Sequence, residues 1–304
     1  MQLLGNILYD TIYHSAPIIL CVIGGVFAFK ANVLNIALEG MMGIGAFFSV
    51  YVTFITGNLL LGFIAGVIVA LVFGVMFSLF GVTFKGNVIV VGLALNLLAT
   101  AIASFILVQM GESNLTLSHF SVADLQIHIP YIESIPLLGS LLSGHPFLTY
   151  VAFIGVWLTW MLMYRTKFGT YVRVVGENED AAKSLGLKTD LYKWCAVLIG
   201  ALCCGLAGVN LSTERLGLYT NGMTAARGFI AIAAIYCGRG DPFISSIYAV
   251  LFGLARSLAI NFAVFAGPIA GLFDVIPYIV MVVALFVASV SQRRHVKVRG
   301  FANG

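Results

Sequence analysis

The chain has 304 residues, 61% of them hydrophobic and 9% charged, with a formal net charge of +4. Soluble domains average roughly 25% charged residues, and no soluble fold of this length hides so much apolar surface, because a large part of any folded chain stays exposed. That excludes a soluble enzyme or binding domain, and a nucleic-acid partner would need a basic stripe on a soluble face that this sequence lacks. The expectation is an all-α integral membrane protein with one membrane domain over residues 1–304.

A bilayer core about 30 Å thick takes about 20 helical residues to cross. In chain order the candidate spans are Thr11–Phe29, two within the uncharged stretch Gly40–Phe84 with their turn at Gly57-Asn58, then Gly86–Val108 and Pro146–Tyr164. Trp194–Thr213, Phe243–Asn261 and Phe273–Ser291 follow, with a shorter apolar piece, Phe229–Cys237, that reads as a half-helix or part of a longer one. This is a polytopic helical bundle of about nine spans, within a range of eight to ten. The N-terminus has no basic region followed by a small-residue cleavage site, so no removed signal peptide is expected. Cys21, Cys195, Cys203, Cys204 and Cys237 all lie in or beside apolar stretches without metal or redox spacing, and read as small buried hydrophobes.

Lys and Arg orient the chain. The segment 165–193 holds Arg165, Lys167, Arg173, Lys183, Lys188 and Lys193, and the tail adds Arg293, Arg294, Lys297 and Arg299. The segment 109–145 has no Lys or Arg and carries Glu112, Asp124 and Glu133. The first two are therefore expected in the cytoplasm and the third outside. Lys30, Lys85 and Arg239 then fall inside as well, with the N-terminus outside and the C-terminus cytoplasmic.

Polar groups inside spans are costly and usually face a cavity or another helix. Asn35 and Glu39 are four apart, so on a helix they share a face: either a polar lining of a pathway, or a helix start capped by Asn with Glu39 in its first turn. Asn96 sits mid-span, where it either bonds a neighbouring helix or lines a channel. Asn210 and Asn221 flank a polar turn with Glu214, Arg215 and Thr220 at the outer end of a span, as a contact surface or a solvated loop. Arg227 opens the short apolar piece, and Arg256 and Asp274 read as a structural pair. No Walker loop and no Ser-His-Asp or Cys-His arrangement is present, so the chain breaks no bonds itself; the Arg239-Gly240-Asp241 tripeptide falls in a tight turn before Pro242.

The stretch Gly176-Glu177-Asn178-Glu179-Asp180-Ala181-Ala182-Lys183-Ser184-Leu185-Gly186 begins with acids suited to a helix N-terminus and ends at a glycine that stops the helix. So short a helix in a basic loop is too small to fold alone and needs a surface to dock on. Its Ala-Ala-x-x-x-Gly core resembles the coupling loop of ABC importer permeases, in the version found in the family serving ribose-type sugars, branched-chain amino acids and nucleosides. Three further stretches agree in order: Asn32–Ala46, Val91–Leu98, and Gly228–Ala234 followed by Gly238 and Pro242. Members often carry a Gln shortly before the V-x-G-L-A-L-N stretch, where this chain has Asn87-Val88-Ile89-Val90.

The resemblance covers about residues 15–290 and lies closest to the smaller of the paired permeases of nucleoside importers. It implies a transmembrane domain of the vitamin B12-importer-like (type II) class in a bacterial cytoplasmic membrane. It also implies a pathway for nucleosides or related small sugars and coupling through Gly176, Glu177, Asn178, Glu179, Asp180, Ala181, Ala182 and Gly186; the polar residues Asn35, Glu39, Asn96, Asn210 and Asn221 are, from their own positions, the candidates for lining that pathway. Its implied partners are ABC ATPase subunits, a second and paralogous permease, and an extracytoplasmic substrate-binding lipoprotein, with lipid around the spans. This chain then needs no cofactor, since ATP and Mg belong to the ATPase. Ribose-type sugars and branched-chain amino acids are the alternative substrates. A gradient-driven secondary transporter is the competing class; it calls for charged relay residues deep in several spans, and Glu39, Arg256 and Asp274 all read as near span ends.

Overall fold

Local capping chemistry sets where the helices begin. Asn58 and Asn87 each accept two backbone N–H groups of the turn that follows them, and Asp241 does the same ahead of Pro242. These side chains supply the partners that the first turn of a helix lacks. A computed structural model of the chain describes residues 2–118, 121–128, 130, 139, 141, 143–263, 270–273 and 275–301. His119, Glu133 and Asp274 lie outside the described residues, and with Asp274 the expected pairing to Arg256.

The helices are α1 (Gln2–Lys30), α2 (Leu38–Thr56), α3 (Leu59–Ser78, continued by a π-turn over Leu79–Thr83), α4 (Val88–Met110) and α5 (Phe147–Arg165). Next come α6 (Lys167–Glu177), α7 (Glu179–Ser184), α8 (Thr189–Val209, continued by a π-turn over Asn210–Glu214) and α9 (Arg227–Cys237). The series ends with α10 (Pro242–Ala263), α11 (Ala270–Phe273) and α12 (Ile276–Phe301). Among the described residues, 8 helices are long and apolar enough to cross a bilayer, while α9, with 11 residues, is too short. The reading of Phe229–Cys237 as a half-helix therefore holds, and the turn at Gly57-Asn58 falls where expected. The segment 165–193 differs from a simple loop: it carries two short helices, α6 and α7.

Helix α1 is the axis of the bundle, packed by α5, α8, α9 and α10, and its span is the most buried of the eight. By contrast α3, α4 and α12 show exposed apolar stripes such as Leu60, Ile68 and Val72, Phe105 and Val108, and Val282 and Phe286. In water these would be aggregation surfaces; in a bilayer they are the solvated face. Between helices, lipid removes the hydrophobic driving force, so close packing of small residues takes over. A Cβ at Gly45 would lie 3.1 Å from Gly205 Cα, and one at Gly208 would overlap the Met42 carbonyl, which fixes how closely α2 and α8 approach.

The two ends of the bundle differ in chemistry. At one, Lys30 Nζ donates to the Arg239 carbonyl (3.0 Å), Trp194 Nε1 to Thr83 Oγ1 (2.9 Å) and the Tyr164 hydroxyl to Asp241 (3.3 Å). At the other lie two small antiparallel ladders, β1 (Asn114–Thr116) with β4 (Leu218–Thr220), and β2 (Gln126–Ile127) with β3 (His145–Pro146). Tyr9 and Tyr13 of α1 tie that end together through the carbonyls of Gly144 (2.8 Å) and Arg215 (2.9 Å). Thus Lys30, Lys85, Arg239 and the 165–193 segment share one end, and the strands Asn114–Thr116 and Gln126–Ile127 of the acidic segment lie at the other.

Gly208→Val tests the packing. Forcing two methyl groups against Met42 O costs about 1–3 kcal/mol in a filled core. The expected outcome is a lower thermal midpoint in detergent, with Gly208→Ala between Val and wild type.

Candidate translocation site

The three stretches Asn32–Ala46, Val91–Leu98 and Gly228–Ala234 are far apart in sequence and meet at one point. Helix α2 begins at Leu38 with no side-chain cap of its own. Asn96 of α4 supplies one: its Oδ1 accepts the Gly40 N–H at 2.8 Å, and its Nδ2 donates to the Ile36 carbonyl at 3.0 Å. One residue before Gly40, Glu39 does the same for α9. Its carboxylate accepts the Ala226 N–H at 3.0 Å and the Gly228 N–H at 2.6 Å. The positive end of a helix dipole and a carboxylate attract one another, the more so away from water.

This point is deep in the bilayer. Eleven helical residues of α9 rise roughly 16 Å, about half of a 30 Å core, and Asn96 stands eight residues into α4. Glu39, the second residue of α2, stands at the N-terminal end of that span, as expected, and this end packs beside Asn96. The linker 31–37 turns back into the bundle before α2 starts, which apolar periodicity does not reveal.

Beside this junction opens a cleft of about 480 Å³. Glu39, Gly40, Asn96 and Thr100 form one wall, and Tyr219, Met223, Thr224 and Phe229 another, with Leu93 and Leu97 at the open side. Polar groups are few and apolar surface dominates, as in most small-molecule sites. The opening faces the exposed stripe of α4, where Leu97 is 73% accessible. Asn221 stands at the rim, its Oδ1 accepting from Ser104 Oγ (3.3 Å).

Of the five expected pathway residues, Glu39 and Asn96 come together here, while Asn221 is the chain neighbour of the lining Gly222 and bonds Ser104 of α4 instead. Asn35 does not join them: it precedes α2, is buried against α1 and α8, and its Oδ1 accepts the Ala37 N–H (3.0 Å). The shared helical face with Glu39 fails because the helix has not yet begun. Asn210 is also elsewhere, fully buried and donating to Glu214 (3.0 Å), which in turn accepts the Leu148 N–H at the start of α5 (3.2 Å). The turn around it is not a solvated loop. Ser212 reaches the Ala46 carbonyl, and Arg215 is buried with its guanidinium over the Tyr13 ring. Sequence reasoning singled out Thr220, Asn221, Arg227 and Gly228–Ala234 in this stretch but missed Tyr219, Met223 and Thr224 as lining residues. Asn87 caps α4.

The 176–186 segment, expected to couple to an ATPase, is ordered around its caps. Asn178 Oδ1 accepts the Ala181 N–H (2.9 Å) to start α7. At its end Gly186 adopts φ +80°, its N–H bonded to the Lys183 carbonyl and that of Leu187 to the Ala182 carbonyl, the paired exit bonds that a left-handed residue allows. Gly176 belongs to α6 and lies against the Lys30 carbonyl, where no Cβ fits. Ala182 is fully buried inside the chain, so it does not present itself to a partner. Helix α7 turns Asp180, Ala181 and Leu185 outward, Leu185 with 75% of its surface exposed, and Glu177 is exposed beside them. Glu179 is used internally: Lys183 (2.7 Å) and Lys193 of α8 hold its carboxyl well below the usual range, at about 2.

A polytopic helical bundle in which the short helix α9 meets the start of α2 beside a cleft fits a membrane permease subunit. The chain belongs to the family described as branched-chain amino acid transport system, permease component, which matches residues 7–285. It is 30% identical to the nucleoside ABC transporter permease protein NupC of Lactococcus lactis subsp. cremoris, over 92% of this chain and 92% of that one. It is 31% identical to the guanosine ABC transporter permease protein NupQ of Bacillus subtilis, over 95% and 91%. A putative glucose ABC transporter permease protein of Haloferax volcanii is 29% identical over 86% and 79%. No solved structure matches.

Two outcomes check this geometry. Asn96→Leu strands the Gly40 N–H and Ile36 carbonyl in a dry setting, a loss of about 1–3 kcal/mol; the expected result is insertion at normal abundance, a lower thermal midpoint and slower transport. For Glu179, the folded pKa lies below the ordinary 4.5, so its stabilisation is present above 4.5 and fades as pH falls toward about 2. The thermal midpoint of wild type should therefore exceed that of Glu179→Gln at pH 7, with the gap narrowing below pH 4.5.

Proposed function

We propose that this chain is the permease subunit of an ATP-driven importer of nucleosides, and that the Glu39–Asn96–Phe229 cleft is its half of the translocation pathway. The observation that carries the reading is the convergence of three separate polar and glycine-bearing stretches on one mid-depth cleft. Irregular backbone at membrane depth is tolerated where it lines a cavity or is buried in protein, and substrate sites in transporters favour such broken helices. The names of the two relatives from Lactococcus lactis and Bacillus subtilis support nucleosides over sugars. A cleft of about 480 Å³ with aromatic and methionine walls suits a flat base, with Glu39, Asn96 and Thr100 available to polar groups.

In this reading the open side of the cleft meets a second, paralogous permease. The end bearing α6 and α7 is cytoplasmic, as the Lys and Arg bias argues, and the end with the two small sheets receives an extracytoplasmic binding lipoprotein. ATP and Mg sit in partner ATPases, onto which α7 docks with Ala181, Leu185, Asp180 and Glu177, while Ala182 and Gly186 shape the helix from within.

The test is co-expression with the ATPase and binding-protein genes, followed by co-purification and uptake of labelled nucleosides and sugars. Wild type is expected to take up nucleosides in preference to glucose or ribose. Leu185→Glu and Ala181→Trp are expected to reach the membrane, lose the ATPase on purification and abolish uptake. Preferential sugar uptake would overturn the substrate; retained ATPase binding by both variants would overturn the docking face.

A further inference from the structure

Resting on the permease reading above, the geometry points to Glu39 as the positioning residue of the transport step: it pins the junction of α9 with the strained 222–228 wall of the cleft, so that α9 carries displacement between the coupling segment and that wall. The wall contains two consecutive alanines in the left-handed region, Ala225 at φ +45° and Ala226 at φ +59°. L-residues avoid this conformation, and it persists only where surroundings over-determine it. The surroundings are specific. Glu39 accepts the N–H groups of Ala226 and Gly228. Gly228 permits the approach, since a Cβ there would lie 2.5 Å from the Glu39 Cα. From behind, Arg227 Nη1 donates to the carbonyls of Met223 (2.8 Å) and Thr224 (3.0 Å), and the Tyr278 hydroxyl to that of Ala225 (3.2 Å).

The other end of α9 is tied to the coupling segment. Lys30 Nζ donates to the carbonyl of Arg239, two residues past α9, and the Lys30 carbonyl is covered by Gly176 at the end of α6. Helix α9 is thus a short rigid rod with α6 at one end and the cleft wall at the other. The wall runs into α9 through Ala226-Arg227, and the Glu39 carboxylate pins that junction to α2. Removing that anchor leaves both ends in place but lets the strained wall relax, so motion of the coupling segment no longer reaches the cleft.

The experiment uses the assembled transporter in lipid, with Glu39→Ala, Glu39→Gln, the pair Ala225→Gly/Ala226→Gly, and the pair combined with Glu39→Ala. Three readouts are taken: nucleoside uptake, the ratio of substrate-stimulated to unstimulated ATP hydrolysis, and the thiol-labelling rate of Met223→Cys with and without ATP, against the unmodified chain as background. Expected for Glu39→Ala is a loss of uptake of about tenfold or more, in the range of measured site-to-site couplings. Its hydrolysis ratio falls toward one, and labelling of position 223 becomes insensitive to ATP. Glu39→Gln retains an accepting oxygen and is expected to lose less. The glycine pair, which tolerates positive φ without an anchor, is expected to restore part of the uptake lost by Glu39→Ala.

Uptake by Glu39→Ala within about twofold of wild type would overturn the proposal. So would failure of Glu39→Ala to assemble, unrelieved by the glycine pair, since Glu39 would then serve folding alone. If wild type takes up no nucleoside, the substrate reading falls, while ATP-dependent labelling at position 223 still decides the role of Glu39.

Discussion

Everything in this protein depends on one constraint: a helix that starts in the middle of a membrane must have its first N–H groups satisfied by the protein itself. Each unsatisfied group in hydrocarbon costs several kcal/mol. Helix α9 starts at mid-depth because it has only 11 residues, and Glu39 meets its exposed N–H groups. Helix α2 starts at a similar depth without a cap of its own, and Asn96 serves it from α4. Two neighbouring residues of α2, Glu39 and Gly40, therefore link α9 to α4. The cleft exists because the chain breaks its helices here, and the breaks are stable because these side chains fill them.

The same economy appears at the ends of the bundle. Glu214 caps α5 through the Leu148 N–H, Asp241 caps α10, and Asn178 caps α7. Glu179, spent on Lys183 and Lys193, ties α7 to α8. Helix α7 is thereby held in place with an exposed apolar residue, Leu185, at its end, although six residues alone would not hold a helix. Mechanical continuity from that piece to the cleft needs no long-range field, only packed elements that share backbone contacts at Gly176, Lys30 and Arg239.

Much of this was legible in the sequence. Apolar length gave the spans, because crossing a bilayer is a demand on composition and length, and the Gly57-Asn58 turn and the short Phe229–Cys237 piece stood where the structure has them. Charge bias grouped Lys30, Lys85 and Arg239 with the 165–193 segment. Depth was not legible. Glu39 stands at the start of the α2 span, as counting residues has it, yet that start packs beside Asn96, eight residues into α4, which counting does not show. Nor was the inward or outward aim of single residues: Ala181 and Ala182 look alike in sequence, while one faces out and the other is fully buried. Asn35 and Asn210 drew notice as intramembrane amides, but their bonds are local and structural. A polar residue inside a span marks a cavity only when a break in a neighbouring helix faces it.

The central claim is that the Glu39–Asn96–Phe229 cleft is this chain's half of the pathway, and the position of substrate within the assembled transporter tests it most directly. A cryo-electron microscopy map of the complex trapped with a nucleoside should place the ligand between the 219–229 wall and α4, within contact of Phe229 and Thr100, with the second permease closing the side lined by Leu93 and Leu97. Density for the ligand on another face of the bundle, with this cleft filled by lipid or by side chains of the partner, would contradict the account.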